Sequence, residues 1–253
     1  MAQQTFLPVT PLLGIMLVLL AAAATGVAAA GRLGHSRAVV TAALRATVQL
    51  AAVSVVIAWV IEYGPLVALF VLVMYVVAGR TAGRRITPHP SGWWAAVSIG
   101  AATGPVLGLL LAGRLLPAQG IVLIPIAGIL IGGALTATAL SGRRALDELA
   151  ARRGEVEAAL ALGFTDRDAI LEICRPAAAQ ALIPVLDQTR TVGLVTLPGA
   201  FVGMLLGGAD PVAAGAVQLF VLVALLAAEA TAVLVTIELV AAGRFRRAAP
   251  YDA

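Results

Sequence analysis

Apolar residues in this chain do not recur at amphipathic spacing; they run in long blocks separated by short polar breaks. A block of about 20 apolar residues is the length at which a helix crosses the hydrocarbon core of a bilayer. Such blocks lie at 6–30, 39–61, 65–79 with a short lead-in, 92–113, 119–140, about 186–206 and 212–241. The third is short for a span, so it tilts or shares the Glu62-Tyr63-Gly64-Pro65 turn. The pattern predicts an all-α fold, a polytopic transmembrane helical bundle of about seven spans. It forms one domain over 1–253, with no room for a large soluble domain.

The longest polar interval, about 141–180, stands apart. Residues 143–162 lack proline, are rich in Ala, Leu, Arg and Glu, and hold Glu148 and Arg152 at i,i+4, which predicts a helix. Gly163, just past the last periodic residue, predicts a left-handed stop. Thr165 with Asp168 three residues on predicts a capping box that opens a second helix. A helix, a tight turn and another helix displayed outside the spans make either a docking element or a solvated linker.

Composition and charge sharpen the picture. With 61% hydrophobic and only 12% charged residues the chain is no ordinary soluble domain, and the lipid bilayer is its first partner. All 17 basic residues are arginine, and they gather at block ends, so the net charge of +4 reads as topology and not as nucleic-acid binding. The first 31 residues carry no basic residue, whereas Arg32 and Arg37 follow the first block. That argues against a signal peptide, despite Ala28-Ala29-Ala30, and for a retained helix with its N-terminus outside.

Alternating sides then places 31–38, 80–91, 141–180 and the C-terminal tail in the cytoplasm. Those connections hold Arg32, Arg37, Arg80, Arg84, Arg85, Arg143, Arg144, Arg152, Arg153, Arg167, Arg175, Arg244, Arg246 and Arg247. Arg114 alone falls outside, and Arg45 and Arg190 lie within or at the edge of apolar blocks. The bias supports the span count, a cytoplasmic C-terminus and a cytoplasmic coupling loop at about 141–180. The single cysteine, Cys174, excludes an internal disulfide and a Cys-based metal cluster. His35 and His89 lie in loops, and no span gathers His, Cys and carboxylates as transition metals prefer, so no metal site is expected.

Glu157-Ala158-Ala159, then Gly163, Ile173 and Pro176, resemble the EAA loop of ABC-transporter permeases: EAA, three residues, Gly, nine residues, Ile, two residues, Pro. Arg175 departs from that pattern, standing where many members have Leu. In that family the loop is a coupling helix seated in a groove of the cytoplasmic ATPase subunit. The resemblance therefore implies an ATPase-coupling role for Glu157, Ala158, Ala159, Gly163, Phe164 and Thr165.

The run from Ile183 to Pro211, with Leu44-Arg45, Val48-Gln49-Leu50 and Ile124-Pro125-Ile126-Ala127-Gly128, is similar to the FetB-type permease family. That family includes a bacterial iron-export permease and plant aluminium-tolerance proteins. The chain departs from it at Gly133, where many relatives have Asn. The resemblance implies a permease subunit of the plasma (inner) membrane that pairs with itself and with two copies of an ABC ATP-binding subunit. ATP and Mg would sit on that partner, and the cargo would be exported iron or another metal or small solute. One residue count agrees: a P-loop needs a lysine to hold phosphate, and a chain without lysine has no ATPase site of its own.

Ionisable groups at membrane depth are costly and mark functional candidates. Glu229, among Ala228, Ala230 and Ala232 in the last block, reads as a substrate or proton contact or as a hydrogen-bonded packing residue. Arg45 and Gln49 share one face of the second block, and Asp187 and Arg190 stand at i,i+3 near the expected cytoplasmic end of the sixth. These four read as a gating network near the coupling loop, or as a translocation site, and Glu238 as a residue reaching headgroup water. Pro125, Pro184 and Pro198 are expected to break helices, and Gly128, Gly132 and Gly133 to allow close helix approach. The competing function is an ion-gradient-driven secondary transporter with Glu229 as its proton carrier. An integral membrane enzyme lacks support, since neither His-Glu-x-x-His nor Gly-x-Ser-x-Gly occurs.

Overall fold

The computed structural model describes residues 10–114 and 120–246. Positions 6–9 of the first apolar block, 119 of the fifth, and Arg247 with the rest of the tail lie outside the described residues. Among the described residues ten α-helices follow in order: α1 Pro11–Ala30, α2 Ser36–Val60, α3 Gly64–Ile86, α4 Ala95–Ala112, α5 Gly120–Ala151, α6 Arg153–Ala161, α7 Asp166–Ala179, α8 Ile183–Thr191, α9 Gly199–Leu206 and α10 Pro211–Ala241. A 3-10 turn, Pro90–Trp94, leads into α4. Among the described residues seven helical stretches are long and apolar enough to cross a membrane: α1, α2, α3, Pro90–Ala112, α5, Asp166–Thr191 and α10.

The chain divides into two units, Met1–Glu62 and Tyr63–Ala253. In the first, α1 and α2 are joined by a turn in which Arg32 and Gly34 take positive φ. The second holds the core. There α3, α5 and α10 run parallel. A Cβ on Gly128 would meet the Met74 side chain and one on Gly142 the Ile86 and Thr236 side chains, while one on Gly133 would meet Glu229, so residue numbers rise together along all three. Helix α4 returns antiparallel to α3, with the Tyr75 hydroxyl donating to the Ala96 carbonyl at 2.8 Å. The C-terminal ends of α3, α5 and α10 thus share one end of the bundle, which odd-numbered spans require.

Two apolar clusters fill this unit. The larger joins Ala82, Ile99, Ala134 and Ile237 with Leu171 and Cys174 of α7, and the smaller joins Leu110, Leu130 and Val221 with Val185 of α8. Alanine dominates the first cluster because parallel helices approach closely only over small side chains.

The expected boundaries change in four places. The short third block extends to 23 residues as α3, a full span. Helix α5 runs 32 residues and carries the expected cytoplasmic helix with it as far as Ala151; a break at Arg152, with φ −114° and ψ 32°, then starts α6 anew. The block at 186–206 is not one helix. Thr191 ends α8, Gly193 turns at φ +83°, and Pro198 caps α9, so the sixth stretch able to cross is Asp166–Thr191. Finally, Pro125 sits inside a continuous α5, while Pro184 falls in the first turn of α8 and Pro198 precedes α9, both places where a missing N–H is harmless.

Candidate functional site

The interval between α5 and α7 folds as its residues direct. Leu162 caps α6, the Gly163 N–H donates to the Leu160 carbonyl at 3.0 Å, and the Phe164 N–H reaches back to the Ala159 carbonyl at 3.1 Å. This pair of bonds is a Schellman turn, and it requires the left-handed conformation that Gly163 takes at φ +93°. Thr165 then caps α7, its hydroxyl accepting from the Asp168 N–H at 3.2 Å and donating to the Asp168 carboxylate at 2.7 Å. The carboxylate therefore serves the Thr165 hydroxyl and not its backbone N–H, a variation on the expected box.

Helix α6 buries none of its residues. Glu157, Ala158, Gly163, Phe164 and Thr165 are exposed and Ala159 is partly so. Leu162 at 80% and Phe164 at 48% exposure leave apolar surface on a polar element. Glu157 is held by Arg153, whose Nε donates to it at 3.1 Å. Arg152 pairs with Glu155 and holds that carboxyl below the ordinary carboxylate range, chiefly through their hydrogen bond.

Helix α7 links this display to the bundle. Its inner face packs Ala169, Leu171, Ile173, Cys174 and Ala178, and the Cys174 thiol donates to the Ala145 carbonyl of α5 at 3.5 Å. Its outer side reaches α10: Arg167 donates to both carboxylate oxygens of Glu238, Nε at 3.0 Å and Nη2 at 2.6 Å. The two side chains are 57% and 37% exposed, so the pair contributes on the order of 1 kcal/mol or less. Its importance is positional, because a planar fork on a carboxylate sets the register of α7 against α10. Glu238 is thus an ion-pair partner as well as a residue near the span end. Residues 71 apart cannot be paired from sequence, and only the opposite charges hint at it.

Glu229 lies roughly 14 Å further along α10 from Glu238, at 1.5 Å per residue. It is 7% exposed and has no hydrogen bond or ion pair among the described residues. Its carboxylate fills the space above Gly133: a Cβ there would lie 2.6 Å from Oε1. The departure at Gly133 therefore makes room for Glu229. Gly128 similarly admits the Met74 side chain, whereas nothing approaches Gly132.

Asp187 and Arg190 do pair, at 3.5 Å, but not beside the Glu157–Thr165 loop. Val185 packs with Leu110, Ile126 and Val221, and Val192 lies beside Gln218 in the first third of α10, so the pair sits at the end of the bundle remote from Glu238. The error came from reading the span at 186–206. Arg45 and Gln49, in the first unit, are exposed and have no polar partner among the described residues.

Sequence reading missed Gln218. It is 6% exposed with its Oε1 unpartnered, and it faces a cavity of about 200 Å³ walled by Val192, Gly193, Leu197 and Pro198. A larger apolar cleft of about 650 Å³ lies between the first half of α5, α9 and α10. Glu229 lines neither. Among the described residues no group of three or more His, Cys, Asp or Glu is placed to hold a metal ion.

Residues 12–245 match the sequence model of the family described as "Uncharacterised protein family (UPF0014)". Over 194 residues the chain is 39% identical to the UPF0014 membrane protein STAR2 of Oryza sativa subsp. japonica, covering 76% of this chain and 68% of that one. It is 39% identical to the protein ALUMINUM SENSITIVE 3 of Arabidopsis thaliana over 181 residues, covering 70% of this chain and 66% of the relative, so the match spans about two thirds of the plant proteins. With the "Probable iron export permease protein FetB" of Escherichia coli (strain K12) it shares 37% identity over 98 residues, 39% of this chain and 38% of that one. No solved structure matches the chain. With a family match over nearly its whole length and seven helices able to cross a bilayer, this chain is an integral membrane protein of the UPF0014 family.

Proposed function

We propose that the chain is the membrane-spanning permease subunit of an ABC transporter in the plasma membrane, working as a homodimer with a separate ATP-binding subunit and exporting iron or another metal or small solute. It is a transport component and not an enzyme; ATP and Mg belong to the partner. The observation that carries this reading is the exposed Glu157–Thr165 element, ordered by its own Schellman turn and cap yet buried against nothing, and joined through α7 to α10 by Arg167 and Glu238. Its exposed Leu162 and Phe164 suit a groove on the ATPase, and α7 suits the transmission of its movement. Export of a metal follows the names of the relatives, FetB above all.

In this reading Glu229 is the translocation residue within the bundle. Asp187 with Arg190 is a gating pair at the far end, and Arg45 with Gln49 a polar face on α2. A carboxylate on a rigid helix can meet a cationic cargo without a preformed multi-ligand cage, which suits passage more than storage.

The deciding experiment is copurification in mild detergent with a tagged ABC ATP-binding subunit from the same cell. The wild type is expected to retain it and the Gly163→Ala variant to lose it while staying in the membrane. Glu229, buried without a polar partner, supports one other reading, a proton-driven secondary transporter. Transport by ATPase-free protein under a proton gradient, abolished by Glu229→Gln, would establish that reading instead.

A further inference from the structure

The turn Pro90–Trp94 folds back on the last turns of α3 and leaves a cleft of about 180 Å³ whose walls include Arg80, Arg84, His89 and Trp93. Two glycines bring the walls together, since a Cβ on Gly92 would lie 2.7 Å from the Gly83 carbonyl oxygen. A polar clasp fixes the far wall. The Thr87 hydroxyl donates to the Arg246 carbonyl at 2.7 Å, the Arg246 N–H donates to Ser91 Oγ at 2.9 Å, and the Ser91 N–H donates to His89 Nδ1 at 3.0 Å. The Arg244 guanidinium stacks on Trp94, 4.9 Å from the ring centre.

Within this held frame the two α3 arginines that line the cleft are idle. Arg80 and Arg84 stand one helical turn apart and have no hydrogen bond or ion pair among the described residues. Elsewhere Arg143, Arg152, Arg153 and Arg167 each hold a carboxylate. Two guanidiniums at that spacing present paired N–H forks, the geometry that suits phosphate oxygens. The cleft also lies where a membrane surface would be. It sits at the C-terminal end of the α3 span, beside the exposed indole of Trp93, and indoles favour the headgroup level.

We propose that this cleft binds the phosphate of an anionic phospholipid headgroup, drawn from the leaflet that the C-terminal end of α3 reaches. Basic clefts between helices at the membrane surface take such headgroups, and free inorganic phosphate shares the chemistry. The site is independent of the transport reading.

The test is native mass spectrometry of the full chain in mild detergent, titrated with phosphatidylglycerol or phosphatidylcholine. Wild type is expected to retain phosphatidylglycerol, and Arg80→Gln/Arg84→Gln to bind it about a hundredfold more weakly, each of the two lost charged hydrogen bonds contributing about tenfold. Arg80→Lys/Arg84→Lys should weaken it too, because an ammonium keeps the charge and loses the fork. Arg143→Gln/Arg175→Gln, removing the same charge outside the cleft, should leave it unchanged. All four arginines are exposed, and equal melting temperatures without lipid would show that each variant folds. Equal weakening by the control pair, full binding by Arg80→Gln/Arg84→Gln, or full binding by the lysine pair would each overturn the site. Stabilisation by inorganic phosphate with the same arginine dependence, in the absence of any phosphatidylglycerol effect, would replace the lipid by the free ion and overturn the lipid assignment.

Discussion

Helices α10 and α6 draw on the same residues, alanine, leucine, valine and glutamate, and meet opposite fates. Helix α10 buries residues from Ala214 to Val240 on several sides, Glu229 included, whereas α6 buries none. In α10 each side chain is judged by its neighbours, so glycine at 133 is tied to glutamate at 229. Just past α6, none of the described residues buries Leu162 and Phe164, and their value lies in what they are offered to. Stability should therefore reside in the bundle and function in the display, and variants can separate the two.

The largest effect is expected inside the bundle. Gly133→Leu would overfill the α5–α10 contact and destabilise the protein by about 1–3 kcal/mol, read as a lower melting temperature in detergent; an unchanged melt would mean that the contact with Glu229 is not formed. Gly163→Val comes next, putting a β-branched residue at φ +93°, a local cost of about 1–2 kcal/mol. The bundle should melt as wild type while retention of the ATP-binding subunit is lost, and a matching fall in melting temperature would dissolve the contrast between the two regions.

Thr165→Ala removes the cap of α7 at about 1 kcal/mol, and faster hydrogen exchange at the Asp168 amide would report it. The smallest effect belongs to Glu155→Gln on the exposed Arg152 pair, which should alter neither melting nor coupling. Because the folded Glu155 carboxyl is held low, its contribution is present above the ordinary carboxylate range and fades as pH falls through the depressed value. Acidification should therefore loosen the turn at Arg152 in wild type and not in the variant, seen as exchange of the Glu155 and Val156 amides, which donate to the Arg152 carbonyl.

The first three blocks, the fourth and the last were legible because span length is a property of uninterrupted apolar sequence. The sixth was not. Apolar composition continues through Val192–Leu197, but the backbone turns at Gly193, while the polar sequence of α7 concealed a helix that buries Leu171, Ile173 and Cys174 on one face. Gly163 and Thr165 could be read because caps and turns are local, each bond closing within six residues. The Arg167–Glu238 pair could not, since its partners meet only after α7 has docked on α10. For the same reason the space that Gly133 leaves for Glu229 could not be read from the sequence.

By itself the sequence determined a membrane-spanning helical chain, the place of its polar display and the turn that closes it. These follow from hydrophobic length, arginine placement and local hydrogen bonding, none of which needs a neighbour far along the chain. Only the tertiary structure decided which helices run parallel, that Glu229 is buried over Gly133, that α7 is tied to α10 through Glu238, and that Arg80 and Arg84 stand free in a cleft. Those are relations between distant residues, and distance along a chain carries no information about contact until packing has chosen it.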